Sequence, residues 1–206
     1  MIRACAALSG VLAFAACTST NFSAPRSVSL GQGEVIAQTP AGYCVDALSS
    51  QPSNDFAMLA PCATLGGGDA VPTVVGVATV QVGPANSGSI VTDELALRDY
   101  LITDEGATLL SQDGDAERVD ILSTQAFNDQ VMIHFTDTGA PPFAGLQNEE
   151  WRAFTDVNGR LVTIAVRGLA AAPLTDGPGA TLLKLVLAGV RSATETLRGA
   201  EDVADA

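Results

Sequence analysis

The chain has 206 residues and a formal net charge of −13, with 10 Lys and Arg side chains against 23 Asp and Glu. Proteins that bind nucleic acids neutralise phosphates with Lys and Arg, so we expect no nucleic-acid partner. Hydrophobic residues make up 47% of the chain, which is enough to form the core of one domain. No apolar run after the N-terminal one approaches the roughly 20 residues of a membrane span.

The first segment combines a single positive charge with a short apolar run. Arg3 is its only charged side chain, and the 13 residues from 4 to 16 are Ala, Leu, Val, Phe, Gly, Ser and one Cys. A basic start, an apolar centre and small residues before a polar stretch are typical of a secretory signal peptide. Residues 1–16 are therefore predicted to be a signal peptide; the alternative, a buried N-terminal helix, lacks an amphipathic pattern.

Two cleavage sites fit the end of this segment. Residues 13–15, AFA, match an A-x-A site, and cleavage there leaves Cys17 as a free thiol in addition to Cys44 and Cys62. Residues 14–17, FAAC, resemble the lipobox of bacterial lipoproteins, with Phe where the family usually has Leu. That resemblance implies that Cys17 is acylated, by palmitate among other chains, and is the first residue of the mature protein.

The number of cysteines favours the lipoprotein interpretation. Lipidation of Cys17 leaves Cys44 and Cys62 as an even pair, whereas the other cleavage strands a third thiol in an oxidising compartment. The resemblance then implies a protein that faces the periplasm of a Gram-negative bacterium and reaches the membrane through its lipid. Thr18, rather than Asp, follows the cysteine, which by analogy with enterobacterial sorting favours the outer membrane. A soluble periplasmic protein is the alternative.

The residues after the lipobox are predicted to connect the anchor to a folded domain. Residues 17–33 are rich in Ser, Gly, Pro and Asn, which is typical of a flexible tether. The alternative is a first strand that folds onto the domain. The domain itself is predicted over residues 34–198, and residues 199–206 are predicted to be an acidic, disordered tail.

The first part of the domain predicts a disulfide-closed hairpin. Two strand-like stretches, EVIAQTPAGYCVDAL and DFAMLAPCATL, flank a cluster of turn residues that contains Ser53. Cys44 and Cys62 are equally distant from Ser53, so they face each other across this hairpin. In an exported protein such a bridge is expected to form, and it contributes about 3 kcal/mol to stability.

The next two segments predict a strand and a helix. The stretch VPTVVGVATVQVG is rich in β-branched residues and is expected to be a strand. In the next stretch, TDELALRDYLITDEGA, the spacing of the apolar residues changes to that of a helix. This predicts a helix that Thr92 caps and Gly106 ends.

Two further hairpins are predicted from their turns. Asn128-Asp129 separates two strand-like runs, and in the second run His134 lies on the face opposite to the apolar residues, where we expect it to be exposed. Asn158-Gly159 is the strongest hairpin signal, because a type I′ turn needs positive φ at both positions. Pairing outward from this turn gives a core face and an outward face: Trp151, Ala153, Val162, Ile164 and Val166 face the core, and Arg152, Asp156, Thr163 and Arg167 face outward.

The last element is a helix over TLLKLVLAGVRSATETLR, whose apolar stripe is predicted to be Leu182, Leu185, Val186, Val190, Ala193 and Leu197. The order of elements predicts an α+β domain, in which an antiparallel sheet built from hairpins packs against helices. Over residues 34–198 this order resembles the Mog1/PsbP-like fold. The resemblance implies a domain that binds partners rather than one that catalyses a reaction.

The sequence predicts no catalytic, metal or cofactor site. His134 is the only histidine, and no G-x-S-x-G stretch accompanies it. The acidic stretch from Asp113 has Arg118 and Thr124 where a calcium loop needs Gly and Glu. Glu149 and Glu150 are adjacent on a strand and are therefore expected to point to opposite faces, which does not suit a pair of catalytic carboxylates.

One loop is predicted to have a role in recognition. The stretch TGAPPFAGLQNEE joins two hairpins, and Pro141, Pro142 and Phe143 form a stiff apolar segment that could bind a partner. We therefore expect a lipid-anchored, non-catalytic protein that binds or supports another envelope component. The alternatives are a carrier of a small apolar ligand held between sheet and helix, and a hydrolase that uses His134.

Overall fold

A computed structural model describes residues 24–204 of the protein, so the predicted signal peptide, the lipobox and Cys17 lie outside the described residues. The fold is α+β, as predicted, with antiparallel sheets packed against helices. Its elements in chain order are β1 Ser27–Leu30, β2 Val35–Gln38, β3 Tyr43–Val45, β4 Phe56–Pro61, β5 Val77–Val82, α1 Glu94–Leu101, α2 Asp104–Leu110, β6 Val119–Ala126, β7 Gln130–Asp137, β8 Glu149–Val157, β9 Arg160–Arg167 and α3 Asp176–Ala204.

Seven strands form the main sheet in the order β3-β4-β5-β9-β8-β7-β6, and every neighbouring pair is antiparallel. Strands β1 and β2 form a separate two-stranded ribbon. Successive side chains of a strand point to opposite faces, so the sheet has two distinct surfaces. We call the face that carries Trp151 and Ile164 the α3 face, because α3 packs on it, and the opposite face the cleft face.

The predicted hairpin around the Asn158-Gly159 turn is confirmed. Asn158 and Gly159 have φ values of 56° and 76°, and the strands beside them pair in the predicted register, with Val157 opposite Arg160 and Trp151 opposite Val166. All five predicted core residues of this hairpin are buried in one cluster. The predicted Cys44–Cys62 disulfide is also present, with the two Cα atoms 4.9 Å apart.

Helix α3 lies between the main sheet and the β1–β2 ribbon. Gly189 allows the ribbon to approach closely, since a Cβ there would lie 2.6 Å from the carbonyl oxygen of Gln38. Because α3 contacts both the main sheet and the ribbon, a wide part of its surface is apolar and buried. The buried apolar residues of α3 are Leu182, Leu183, Val186, Leu187 and Val190. The predicted stripe is therefore wrong at Leu185, which is 50% exposed.

The predicted tether is wrong for residues 24–33. Residues 27–30 form β1, which pairs with β2, and Leu30 is buried in the main core. The polar composition of this segment concealed Val28 and Leu30, which have the two-residue spacing of a strand. At the other end, α3 continues to Ala204, so residues 199–204 are helical rather than a disordered tail.

The helix predicted between Thr92 and Gly106 is two helices, α1 and α2. Asp93, not Thr92, caps α1 by accepting a hydrogen bond from the backbone N–H of Ala96. Gly106 lies inside α2 and does not end a helix. A Cβ at Gly106 would lie 2.1 Å from the carbonyl oxygen of Tyr100, so the glycine allows the two helices to turn tightly against each other. Together they cover β6 and β7 on the cleft face.

Candidate functional site

The loop between β7 and β8, residues 138–148, folds over the cleft face and borders a cleft of about 270 Å³. Strands β4, β5 and β9 contribute Phe56, Val77 and Ala165 to its walls. The loop contributes Pro142, Phe143 and Leu146, and the side chain of Phe143 is 39% exposed. Two of the three residues of the predicted recognition segment, Pro142 and Phe143, therefore line a cleft that opens to solvent, whereas Pro141 is half-buried and does not line it.

The base of loop 138–148 is fixed by hydrogen bonds from Gln147. Its side-chain oxygen accepts from the backbone N–H of Leu174 at 2.6 Å, and its own backbone N–H donates to Gly168 at 3.0 Å. Gly168 must be glycine for this contact, because a Cβ there would lie 2.3 Å from the side-chain oxygen of Gln147. The exposed residues Pro142 and Phe143 thus belong to a loop whose base is anchored.

Three charged side chains lie at the floor of this cleft. Glu150 is 2% exposed and accepts hydrogen bonds from Nε of Arg152 and from Nε of Arg167, the latter at 2.7 Å. Arg167 also donates through Nη1 to the carbonyl oxygens of Gln147 and Asn148, which belong to the loop. One buried carboxylate therefore faces two guanidinium groups.

The cleft residues differ in how well the sequence places them. Arg152 and Arg167 lie on the face opposite to Trp151, as alternation predicts, but the prediction that Arg167 is exposed is wrong. Loop 138–148 covers it, and 4% of its surface remains accessible. Glu150 was not identified as a site residue, although the predicted register of the β8–β9 hairpin could have identified it. In that register Trp151 pairs with Val166, so the next pair away from the turn is Glu150 and Arg167.

His134 is buried rather than exposed, so that prediction is wrong. It is 8% exposed, and its ring stacks on Trp151 with the ring centroids 4.5 Å apart. Its Nε2 atom lies 2.6 Å from a carboxylate oxygen of Glu149, and its Nδ1 atom lies 3.4 Å from Asp176 at the start of α3. The helix begins earlier than predicted, and its first residues cover this part of the sheet.

This arrangement does not favour a serine hydrolase. Ser123 is the cross-strand neighbour of His134, but both ring nitrogens face carboxylates, so neither is placed to accept a proton from a hydroxyl group. Glu149 and Glu150 point to opposite faces of the sheet, because Glu149 contacts His134 while Glu150 contacts Arg167.

A second cleft of about 270 Å³ lies between α3 and the sheet, next to His134. Its walls mix polar and apolar side chains, among them Gln125, Met132 and Lys184. It is an open cleft at the rim of the sheet, not the closed apolar cavity that a carrier requires. Deeper between the sheet and α3, the space is filled by buried side chains such as Trp151 and Val186.

Groups of potential metal ligands are already used in other contacts. Among residues 24–204, the one cluster of three such side chains is Cys44, Cys62 and Asp69, and its two sulfurs are joined in the disulfide. In the acidic stretch, Asp115 forms an ion pair with Arg118. None of the helices in the described part of the chain is both long and apolar enough to cross a membrane.

No protein-family model matches the chain, and no curated protein matches it either. The resemblances to lipoproteins and to Mog1/PsbP-like domains therefore stay predictions from the sequence.

Proposed function

We propose that this is a lipid-anchored protein of the Gram-negative envelope, without catalytic activity, whose domain binds another envelope protein at the cleft bordered by loop 138–148. The observation that carries the proposal is the cleft itself. It combines apolar walls with a partly exposed aromatic residue, Phe143, on a loop whose base is anchored. Exposed aromatic side chains on anchored loops are typical of protein recognition.

The disulfide supports an exported location. Cys44 and Cys62 are joined, and disulfides persist in oxidising compartments such as the periplasm. This agrees with the signal peptide and lipobox of the first 17 residues, which predict that Cys17 is acylated and anchors the protein.

The position of Ala24 limits the distance between the anchor and the domain. Ala24 is buried beside the disulfide, and it follows Cys17 by only seven residues. A fully extended chain of that length spans at most about 25 Å. An acylated Cys17 therefore holds the disulfide end of the domain near the membrane surface. A domain held there meets other proteins of the envelope, which is why we propose an envelope protein as the partner.

The anchor is tested by metabolic labelling with radioactive palmitate. We expect the label to enter the protein and to be lost in the variant Cys17→Ala, which should also leave the membrane fraction. A Cys17→Ala protein that stays membrane-bound, or a wild-type protein that takes up no label, would contradict the lipid anchor.

The binding role is tested by photo-crosslinking in intact cells. The photoreactive residue p-benzoylphenylalanine is placed at Phe143, and at Phe127 as a matched control, because both side chains are 39% exposed and only Phe143 lines the cleft. We expect a discrete crosslinked product in the envelope fraction from position 143 and none from position 127. The same products from both positions, or none from either, would contradict a partner at the cleft.

A further inference from the structure

The floor of the cleft holds more positive than negative charge. Among the residues that line it, Arg152 and Arg167 are cationic and Glu150 is the one carboxylate, while the remaining lining residues are uncharged. This local excess stands out in a chain whose formal net charge is −13. An anionic group in the cleft would neutralise it.

Both arginines also have hydrogen-bonding capacity that the described residues do not use. Nη2 of Arg167 is buried and makes no hydrogen bond in the described part of the chain, although it lies close enough to Glu150 to form an ion pair. Arg152 uses Nε for Glu150 and Nη1 for the carbonyl oxygen of Leu109, and its Nη2 makes no hydrogen bond with residues 24–204. Nη2 of Arg167 is thus a buried donor whose nearest acceptor, Glu150, is poorly aligned, and the Arg152 side chain is partly exposed, so an anion in the cleft would add an acceptor for both arginines.

A carboxylate is the anion that fits this pair of side chains. The planar guanidinium group presents its N–H donors in a fork that matches the two oxygens of a carboxylate, and such charge-assisted pairs are among the strongest hydrogen bonds in proteins. Most of the other lining residues, such as Phe56, Val77 and Phe143, are apolar, and Thr79 and Gln112 are the polar exceptions. The cleft is thus complementary to an apolar group that ends in a carboxylate.

The size and openness of the cleft indicate where that group comes from. The cleft has a volume of about 270 Å³, near the lower end of the range for small-molecule sites, and it is open to solvent, so a longer molecule can bind with only its end inside. One apolar side chain and its own carboxylate fit the space, while the rest of a longer molecule continues outside, past Pro142 and Phe143. The C-terminal residue of a polypeptide has this form.

We infer that the cleft binds the C-terminal residue of a partner protein, with an apolar side chain against Phe56 and Phe143 and the terminal carboxylate on Arg152 and Arg167. The inference rests on the proposed function for the class of partner, a protein. The arginines act here as binding residues, in addition to their role as partners of Glu150.

The test measures binding of a fluorescein-labelled tetrapeptide, Ala-Ala-Ala-Leu, to the processed, lipidated full-length protein in detergent micelles. Fluorescence anisotropy is recorded for the peptide with a free carboxylate and for the same peptide with a C-terminal amide. We expect the amide to bind at least about tenfold more weakly, because it lacks the charge that the arginines bind. Equal binding of the two peptides would overturn the inference.

The variant Arg152→Gln identifies the residue responsible. We expect it to remove the preference for the acid over the amide. Arg98→Gln, which removes a partly exposed arginine of α1 that pairs with Asp99 and does not line the cleft, should keep that preference. The ratio of the two affinities is the decisive quantity, because a folding defect would weaken both peptides alike. A preference that persists in Arg152→Gln would overturn the assignment of the carboxylate to this cleft.

Octanoate, an apolar acid without a peptide chain, separates the two sources of a carboxylate. We expect it to displace the labelled peptide at least about tenfold less well than the unlabelled acid peptide does, since it has no chain to contact the loop. Equal displacement would overturn the assignment to a protein terminus.

If neither peptide binds while position 143 still forms its crosslink, this inference fails and the proposed function stands. If the acid peptide binds selectively but no crosslink forms, the proposed function fails instead.

Discussion

One long helix covers the α3 face of the main sheet, whereas the cleft face is covered in parts by α1, α2 and loop 138–148. On the α3 face the contact between helix and sheet is close, since a Cβ at Gly179 would lie 2.4 Å from the ring of Trp151. The residues between them are almost all apolar, and they belong to a single buried cluster.

The cleft face has a different composition and a different degree of closure. Glu150, Arg152 and Arg167 lie on it, and the segment from Pro142 to Phe143 stands at the edge of an open cleft. Charges within a partly covered surface cost free energy of desolvation, which a structural role alone repays poorly. The difference indicates that the α3 face stabilises the fold and that the cleft face carries recognition.

The largest expected effect is on the α3 face. Replacing Trp151 with Ala should lower the free energy of unfolding by about 3–5 kcal/mol, because it removes a large buried ring and leaves a cavity under α3. Phe143→Ala, which removes an aromatic ring from the cleft face, should cost less than about 1 kcal/mol, since that ring is partly exposed. Urea unfolding of the two variants measures the difference. Similar losses would mean that the two faces contribute equally to stability.

The charged cluster offers a second comparison, between neighbouring carboxylates on opposite faces. Glu150→Gln should destabilise the protein by about 3 kcal/mol, at the lower end of the range for a broken buried ion pair, because Gln can still accept a hydrogen bond while Arg167 stays buried without a carboxylate partner. Glu149→Gln makes the same chemical change next to it, on a side chain that is partly solvated, and should cost less than about 1 kcal/mol. Urea midpoints of both variants test this, and an equal loss would show that Glu150 is not the critical partner of the arginines.

Removing the disulfide tests whether the shape of the cleft depends on β3, the strand at the edge of the main sheet. Reduction, or the double variant Cys44→Ala with Cys62→Ala, should lower the free energy of unfolding by about 3 kcal/mol. Neither cysteine lines the cleft, so the preference for the acid peptide should be unchanged in protein that remains folded. Loss of that preference would mean that β3 and the bridge help to shape the cleft.

The smallest expected effect comes from a buried phenol in the core of the α3 face. Burial raises the pKa of Tyr43 to about 12, and the hydrogen bond from the N–H of Gly76 lowers it only in part. The unfolded chain releases this proton near pH 10, so the stabilising contribution is complete below pH 10 and is lost as the pH rises from 10 to 12. At pH 11 the loss is about 1.4 kcal/mol.

The variant Tyr43→Phe isolates this contribution. Its free energy of unfolding should fall less steeply between pH 10 and pH 12 than that of the wild type, because the other titrating groups are common to both proteins. The measurement is a series of urea unfolding curves across this range. Parallel curves would show that Tyr43 ionises as readily in the folded protein as in the unfolded chain.

The parts of the fold that local chemistry determines could be predicted from the sequence. The Asn158-Gly159 turn fixed the register of β8 and β9, and therefore the core face around Trp151. The spacing of Cys44 and Cys62 around a turn likewise predicted their bridge. In each case the signal lies within a short stretch of chain.

The parts that depend on distant contacts were predicted wrongly. Gly106 permits close packing against Tyr100, a contact that does not follow from helix propensity. His134 is buried because α3 begins at Asp176, on a segment far along the chain. Leu30 joins the core only when its ribbon meets α3.

The candidate site lies between these two cases. Pro141, Pro142 and Phe143 were recognised as a stiff apolar loop, but the cleft beside them depends on how residues 138–148 fold back over the sheet. The pairing of Glu150 with Arg167 follows from the predicted register, whereas its burial under the loop does not.

The most direct test of a recognition role for the cleft face is the yield of the crosslink from position 143 when Arg152 is also changed. We predict a discrete envelope product from p-benzoylphenylalanine at position 143, reduced about tenfold when Arg152→Gln is added, and no product from position 127. A product that forms equally from both positions would contradict a recognition role for the cleft face, and one that forms equally with and without Arg152→Gln would contradict the binding role of Arg152.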